Sequence, residues 1–234
     1  MFKRCAIAAL LLSLAAPSAA FAQDGGLGEV IVTAQRRDGD YYSDEQTVIG
    51  LRRMADSAVQ NVSFTSDSRD EAGRKREIHA MLTTAIQRSG TAGIQLVTGD
   101  LELVPVTMAN FRDLIFQQGN RPDTSKIDLM VKAKLAGSTG TAQSRIDNFI
   151  NTVPPNGRAL LEKRGGLTLT IVNPDQYRDE IVKLIAETAK RYATYFGPDY
   201  GVEVGGLNEQ LAWSQVSGTE VFLYIPYRFT IRHN

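Results

Sequence analysis

The stretch Lys126-Ile-Asp-Leu-Met-Val-Lys-Ala-Lys-Leu135 has the most regular pattern in the chain. Apolar residues occupy every second position: Ile127, Leu129, Val131, Ala133 and Leu135. The residues between them include Asp128, Lys132 and Lys134. Because successive side chains of a strand point to opposite faces, this pattern predicts a strand with one buried face and one solvated face. Such strands are typical of antiparallel sheets.

On both sides of this strand, apolar residues recur at helical spacing. The first helix is expected to begin at a capping box, Ser68–Glu71, and to end near Gly90. Its inward face is formed by Ile78, Leu82, Ala85 and Ile86. The second helix is expected over Thr141–Asn151, and its inward residues are Ile146, Phe149 and Ile150.

The third and longest helix is expected to begin at Asn173-Pro174, with Asn173 as its cap, and to stop at Gly197-Pro198. Its apolar stripe consists of Ile181, Leu184, Ile185, Thr188, Tyr192 and Phe196. Further strands are expected over Val59–Phe64, Ile94–Val106 with a break at Gly99-Asp100, Leu167–Val172, Val202–Leu211 and Val221–Ile231. Pro226 lies inside the last of these and indicates an edge or a bulge, since proline cannot donate to the ladder. The order of elements predicts an α+β fold, a largely antiparallel sheet with about three helices packed on it.

The N-terminal residues have the three parts of an export signal. Lys3 and Arg4 are followed by the short apolar run Ala6–Ala16 and by Ala20-Phe21-Ala22, so cleavage is expected after Ala22. The alternative, an uncleaved anchor helix, is disfavoured because the apolar run is too short to span a bilayer. The sequence therefore predicts a signal peptide over 1–22 and a periplasmic location.

Composition excludes several classes of protein. The chain has 26 basic and 26 acidic residues, and no electrostatic feature favours nucleic acid. Cys5, the only cysteine, is expected to leave with the signal peptide, so the mature chain cannot form a disulfide. No later apolar run reaches membrane-spanning length, so no transmembrane segment is expected in the mature chain.

Three stretches together resemble the SIMPL-domain family of exported bacterial proteins. They are Thr47–Ser66 with its Ala55-Asp56, Arg74–Ile94 with its helix and Gly-Ile turn, and Tyr177–Ile231 with its long helix and its Ser-Gly-Thr-Glu segment. The resemblance implies a SIMPL-like domain over 47–234. It also implies an envelope-associated protein that sometimes assembles into rings and has no established catalytic residues.

A second, local resemblance concerns the segment Glu29-Val-Ile-Val-Thr-Ala-Gln-Arg-Arg37, which is similar to the TonB box of outer-membrane receptors. The segment lies in a leader, 23–46, that is expected to be flexible because it is rich in glycine and polar residues. A free β-branched segment can add a strand to the sheet edge of a partner. The residues expected to bind such a partner, for example the periplasmic domain of TonB, are Glu29, Val30, Ile31, Val32, Thr33 and Ala34. The alternatives are a first strand of the domain and a chance apolar run.

The sequence contains little that indicates chemistry. His79 is expected at a helix surface or core edge and His233 in a frayed terminus, and no metal-ligand spacing, nucleophile motif or phosphate loop occurs. Trp213 and the tyrosines Tyr192, Tyr195 and Tyr200 are expected to pack rather than bind. No catalytic, cofactor or metal site is therefore assigned. Three functions stay open: a non-enzymatic envelope protein that assembles or binds partners, an accessory of TonB-dependent uptake, and an exported small-ligand binder or enzyme.

Overall fold

The computed structural model describes residues 28–32 and 49–234. The expected signal peptide and most of the expected leader lie outside these ranges. The helices are α1 Glu71–Thr91, α2 Thr139–Thr152 and α3 Arg178–Thr194. The strands are β1 Glu29–Val32, β2 Gly50–Met54, β3 Ser57–Ser66, β4 Ile94–Thr98, β5 Val104–Pro105, β6 Gln117–Gln118, β7 Ser125–Lys134, β8 Leu160–Val172, β9 Tyr200–Gly205, β10 Ala212–Gln215, β11 Glu220–Tyr224 and β12 Arg228–His233.

The strands form one large antiparallel sheet and two small ones. The large sheet has the order β1-β8-β3-β7-β4-β5, and β6 pairs with β7 beside β4. The small sheets have the orders β10-β11-β2 and β12-β9. Helices α1 and α2 pack on one face of the large sheet, and α3 packs against β2 and β9. The predicted α+β class is confirmed.

Strand β7 lies at the centre of the large sheet, as its alternation predicts. Ile127, Leu129, Val131 and Ala133 are buried under the helices. The opposite face is not simply solvated, however, and that part of the prediction is wrong. A second buried cluster covers part of it, formed by Val59, Val97, Leu103 and Met130, with Ile31 packed against it.

The large sheet curls until its two ends meet at β1. One edge of β1 pairs with β8. On its other edge, the Ile31 amide donates to the Leu101 carbonyl at 3.3 Å and the Leu103 amide donates to the Glu29 carbonyl at 2.9 Å. The chain then runs from Leu103 directly into β5, which pairs with β4. β1 therefore closes the sheet into a ring, and the second cluster lies on the inner face of that ring.

Helix α1 is capped differently from the prediction. Asp70 is the cap, and its Oδ1 accepts from the Gly73 amide at 2.6 Å. Ser68 instead donates to Glu77, so the capping box is wrong. The inward residues Ile78, Leu82 and Ala85 are confirmed as fully buried. The helix passes Gly90 and turns at Gly93, which adopts a φ of +65°.

Helix α2 has the expected inward residues, but α3 departs from the prediction at both ends. Asn173 has a φ of +42° and makes no side-chain cap bond, and a short 3-10 helix, Pro174–Tyr177, precedes α3. Near the C-terminal end, Ala189 and Ala193 face inward while Phe196 is 58% exposed. Small residues there face β9, and Tyr195 is exposed as well, whereas Tyr192 is half-buried with its ring 5.8 Å from that of Phe229 on β12.

The long final strand predicted over Val221–Ile231 is two strands. β11 lies between β10 and β2, whereas β12 pairs with β9. Pro226 falls in the break between them, where its missing amide donor ends the first ladder. Strand β8 begins at Leu160 and is therefore longer than the predicted Leu167–Val172.

Glu77 on α1 accepts hydrogen bonds from three residues outside the helix. Its carboxylate accepts from Ser66 Oγ at 2.6 Å, from Ser68 Oγ at 2.7 Å and from the Arg158 amide at 3.2 Å. The bond from Ser66, and then those from Ser68 and Arg158, lower the pKa of Glu77 despite its partial burial. The ionised carboxylate therefore stabilises the fold.

We expect Glu77→Gln to lower the free energy of unfolding at pH 7 by about 1–2 kcal/mol, because charge-assisted bonds are replaced by neutral ones. The pKa is lowered on folding, so the stabilisation is present above the ordinary pKa near 4.5 and is lost as the pH falls through the folded value. Urea unfolding of both proteins between pH 7 and pH 3 measures this. A stability difference that stays constant over that range would contradict the assignment.

Candidate functional site

The predicted partner-binding segment lies at the closure of the ring. Glu29–Val32 form β1, whereas Thr33 and Ala34 lie outside the described residues. The Cα partners across β8 are Val172 for Glu29, Ile171 for Val30, Thr170 for Ile31 and Leu169 for Val32. At these four residues the expectation of a free leader is wrong, and the alternative of a first domain strand is what the structure shows.

The side chains of β1 alternate as a strand of this sheet requires. Val30 and Val32 have no exposed surface and belong to the main core beneath the helices. Ile31 points to the other face and packs on the inner cluster. Burial of β-branched side chains on both faces explains why this short segment is held by the domain.

Main-chain groups on both edges of β1 are paired, and a side chain adds one more bond. Besides the bonds that close the ring, the Asn173 amide donates to the Gly28 carbonyl at 2.7 Å. Trp213 Nε1 donates to the Ile31 carbonyl at 3.2 Å. Trp213 is the only tryptophan in the chain and is 2% exposed. Its fluorescence is therefore a direct reporter of whether β1 is in place.

A partly buried ion pair fixes the first residue of β1. Lys132 Nζ on β7 contacts Glu29 Oε2, and the two side chains are 16% and 10% exposed. Thr170 Oγ1 donates to Glu29 Oε1 at 2.5 Å. A carboxylate at this depth is stable only with such partners, so the pair sets the register of β1 in the ring.

A cavity of about 650 Å³ opens on the inner face of the ring beside β1. The apolar part of its lining is formed by Ile31, Val59, Val62, Leu129 and Met130. Its polar lining comprises Asn61, Thr98, Asp100, Gln117, Asn120, Lys126, Asp128, Arg164 and Thr168. The volume lies within the range of small-molecule sites. The ring therefore has room for a ligand with both donor and acceptor groups.

Most of the charged residues that line this cavity are paired, Lys126 with Asp128 and Arg164 with Glu162 outside the lining. Lys126 Nζ lies 2.5 Å from Asp128 Oδ2. Burial tends to raise the pKa of Asp128, but the hydrogen bond from Lys126 and the nearby charges of Lys126 and Arg164 outweigh it and lower the pKa. Asp128 is thus ionised at neutral pH and is unsuited to act as a general acid there.

Both histidines pack against aromatic rings. His79 packs edge-on against Phe111 and Phe116, with ring centroids 5.6 and 5.1 Å away. Burial lowers the pKa of His79, and the charges of Arg112 and Lys75 lower it further, so the ring is neutral at pH 7. His233 contacts Tyr200 at the end of β12. In residues 28–32 and 49–234 no cluster of three or more His, Cys, Asp or Glu has a geometry suited to a metal ion.

The aromatic residues singled out in the sequence lie in two separate places. Trp213 contacts β1 in the core, whereas Tyr192 and Tyr195 lie on and just after α3, with ring centroids 6.2 Å apart. The Tyr200 ring lies tilted beside that of Phe196, with centroids 5.9 Å apart. Neither these three tyrosines nor Trp213 is among the residues that line the cavity.

No protein-family model matches this chain, and no curated protein matches it. The SIMPL and TonB-box resemblances therefore remain expectations. Within the described part of the chain, none of the helices has the length and apolar character needed to cross a membrane.

Sequence reasoning missed the residues that receive β1. The sequence pattern places Lys132 on a solvated face and indicates no partner for Thr170 or Trp213. The one available signal is the isolated carboxylate at Glu29 beside the apolar Val-Ile-Val. It indicates that a cation is needed if the segment is buried, but it does not say which one.

We expect Lys132→Met to destabilise the protein by about 3 kcal/mol, because Glu29 then stays buried without its partner. Lys134→Met, two residues along β7 and exposed, is the matched control and should change stability by less than about 0.5 kcal/mol. Glu29→Gln combined with Lys132→Met should recover part of the loss. Urea unfolding followed by Trp213 emission measures all three. Equal effects of the two lysine variants would show that the ion pair does not hold β1.

Proposed function

We propose that this protein is an exported, non-enzymatic protein of the bacterial cell envelope that works in the periplasm by binding or assembling with partners through its N-terminal strand. The signal pattern and the SIMPL and TonB-box resemblances support this location and class. The observation that carries the proposal is the position of β1. A four-residue strand closes the ring, and only residues 33–49 connect it to β2.

Release of β1 is energetically accessible to a binding partner. Its main-chain bonds can be replaced one for one in another sheet, so they contribute little net cost. The main loss is the burial of Val30 and Val32, about 1.5–3 kcal/mol each, and the packing of Ile31 and the Glu29–Lys132 pair add to it. An opening cost of at least about 3 kcal/mol weakens a partner's apparent affinity by at least roughly 100-fold. The domain therefore keeps the strand closed unless the partner offers a well-matched edge.

An accessory role in TonB-dependent uptake is the narrower form of this proposal. It uses Glu29, Val30, Ile31 and Val32, followed by Thr33 and Ala34, as the strand that adds to TonB. The first four of these residues cannot pair with β8 and with TonB at the same time. Binding must therefore be coupled to opening of the ring.

A disulfide lock tests this coupling. Ile31→Cys with Thr170→Cys joins two residues that face each other across β1 and β8, and the expected mature chain has no other cysteine. We expect the reduced variant to bind the TonB periplasmic domain in a pull-down and the oxidised form to lose at least about tenfold in affinity, since the lock prevents release of the strand.

Ser214→Cys with Phe222→Cys, which face each other across β10 and β11, is the matched control lock. Its oxidation should leave binding unchanged. Binding that is equal in the oxidised and reduced forms of the β1 lock would exclude release of β1 as the route. Binding in neither form would exclude TonB as the partner.

Small-ligand binding is a second candidate function, and the cavity on the inner face favours it. Arg164 and Asn61 face each other across β8 and β3 at the cavity wall.

A panel of amino acids and sugars tests this function. We expect a ligand to change the backbone NMR shifts of the cavity residues only, and we expect Arg164→Gln to reduce these changes. Arg232→Gln on β12, an exposed arginine also paired with a glutamate, is the matched control. Shifts unaffected by Arg164→Gln would contradict a site at this wall.

A further inference from the structure

The groove that holds β1 has four features that select its occupant. Its two walls are the edge of β8 that pairs with β1 and the segment Leu101–Leu103. Lys132 and Thr170 lie at one end and bind a carboxylate. Trp213 Nε1 donates to a main-chain carbonyl in the middle. On the core side, two positions accept fully buried valines.

These features together specify a sequence. The occupant must be extended, must present a carboxylate at its first residue and must direct small β-branched side chains to the core at its second and fourth residues. Glu29-Val-Ile-Val32 satisfies all of these requirements. Another copy of this chain presents the same four residues with the same register and charge. Charge complementarity therefore favours an identical strand over an unrelated one.

We propose that this groove is an acceptor site for the β1 strand of a second copy, so that two chains exchange β1 reciprocally. The exchanged contacts are the same as the closed ones, and no new interface is needed for them. Residues 33–49 connect β1 to β2 and reach about 55 Å when fully extended, more than the size of a domain of this length. Chain length therefore does not prevent exchange.

This inference rests on the proposed function only in that β1 must leave its own groove. The proposed function uses β1 as a donor strand to another protein, whereas this inference concerns the groove as an acceptor. The two can therefore fail separately. Strand exchange without TonB binding would support this inference alone, and TonB binding without strand exchange would support the proposed function alone.

Charge reversal across the ion pair tests the exchange directly. A chain with Glu29→Lys has a strand that its own Lys132 repels, and a chain with Lys132→Glu has a groove that repels its own Glu29. In a reciprocal pair of the two, each strand meets an opposite charge. We expect each variant alone to show red-shifted Trp213 emission, and the mixture to recover wild-type emission and form a heterodimer in light scattering.

The double variant Glu29→Lys with Lys132→Glu is the matched control, because its own strand and groove are again complementary. It should behave as the wild type, with no preference for the single variants. A mixture that stays monomeric, with Trp213 emission equal to the sum of the separate variants, would overturn the proposal.

A second measurement does not depend on how well the charge variants fold. Chains with only Ile31→Cys and chains with only Thr170→Cys are mixed at high concentration and oxidised. Strand exchange should give a disulfide-linked dimer that contains one of each, since these residues are partners across β1 and β8. In the control, a chain with Ser214→Cys replaces the chain with Thr170→Cys. A yield of disulfide-linked dimer no higher than in this control would also overturn the proposal.

Discussion

The closure of the large sheet by β1 is the constraint on which the rest of this structure depends. Every buried main-chain amide and carbonyl needs a partner, and an open curled sheet would leave two edges unpaired. β1 satisfies both edges at once, through β8 on one side and Leu101–Leu103 on the other. The inner cluster and the cavity exist because the curl is held shut at this point. A four-residue segment thereby determines the shape of a sheet formed by strands far away in the sequence.

The parts of the fold that the sequence predicts well are those whose signals are local. The alternation of β7 and the helical spacing in α1 and α2 place the correct side chains in the core, because burial on one face imposes a period on the residues themselves. The sequence predicts Pro226 at an edge or a bulge of one long strand, whereas it lies in a break at which the chain changes sheets. That change depends on which strands β11 and β12 find as neighbours. The same applies to α3, where packing by β9 selects Ala189 and Ala193 over the larger aromatic residues.

The N-terminal segment shows why site prediction is harder than fold prediction. A docking strand and a domain strand need the same residues, since both must be extended, β-branched and able to pair along their main chain. Glu29-Val-Ile-Val32 fits both roles equally well from its pattern. What separates them is Lys132, which is 103 positions away in sequence and looks like a solvated residue in its own strand. A local pattern cannot reveal a partner that only the curl of the sheet brings near.

The charge of Glu29 restricts the register in which β1 can occupy its groove. An apolar residue at Glu29 would hold β1 with less dependence on register, since hydrophobic contact is not directional. A buried carboxylate is stable only where Lys132 and Thr170 meet it, so a shift by one residue leaves two charges unpaired and turns both valines away from the core. The ion pair therefore contributes specificity more than strength. It makes the groove selective for one strand in one register, while the short length of β1 keeps the cost of release within the reach of a binding partner.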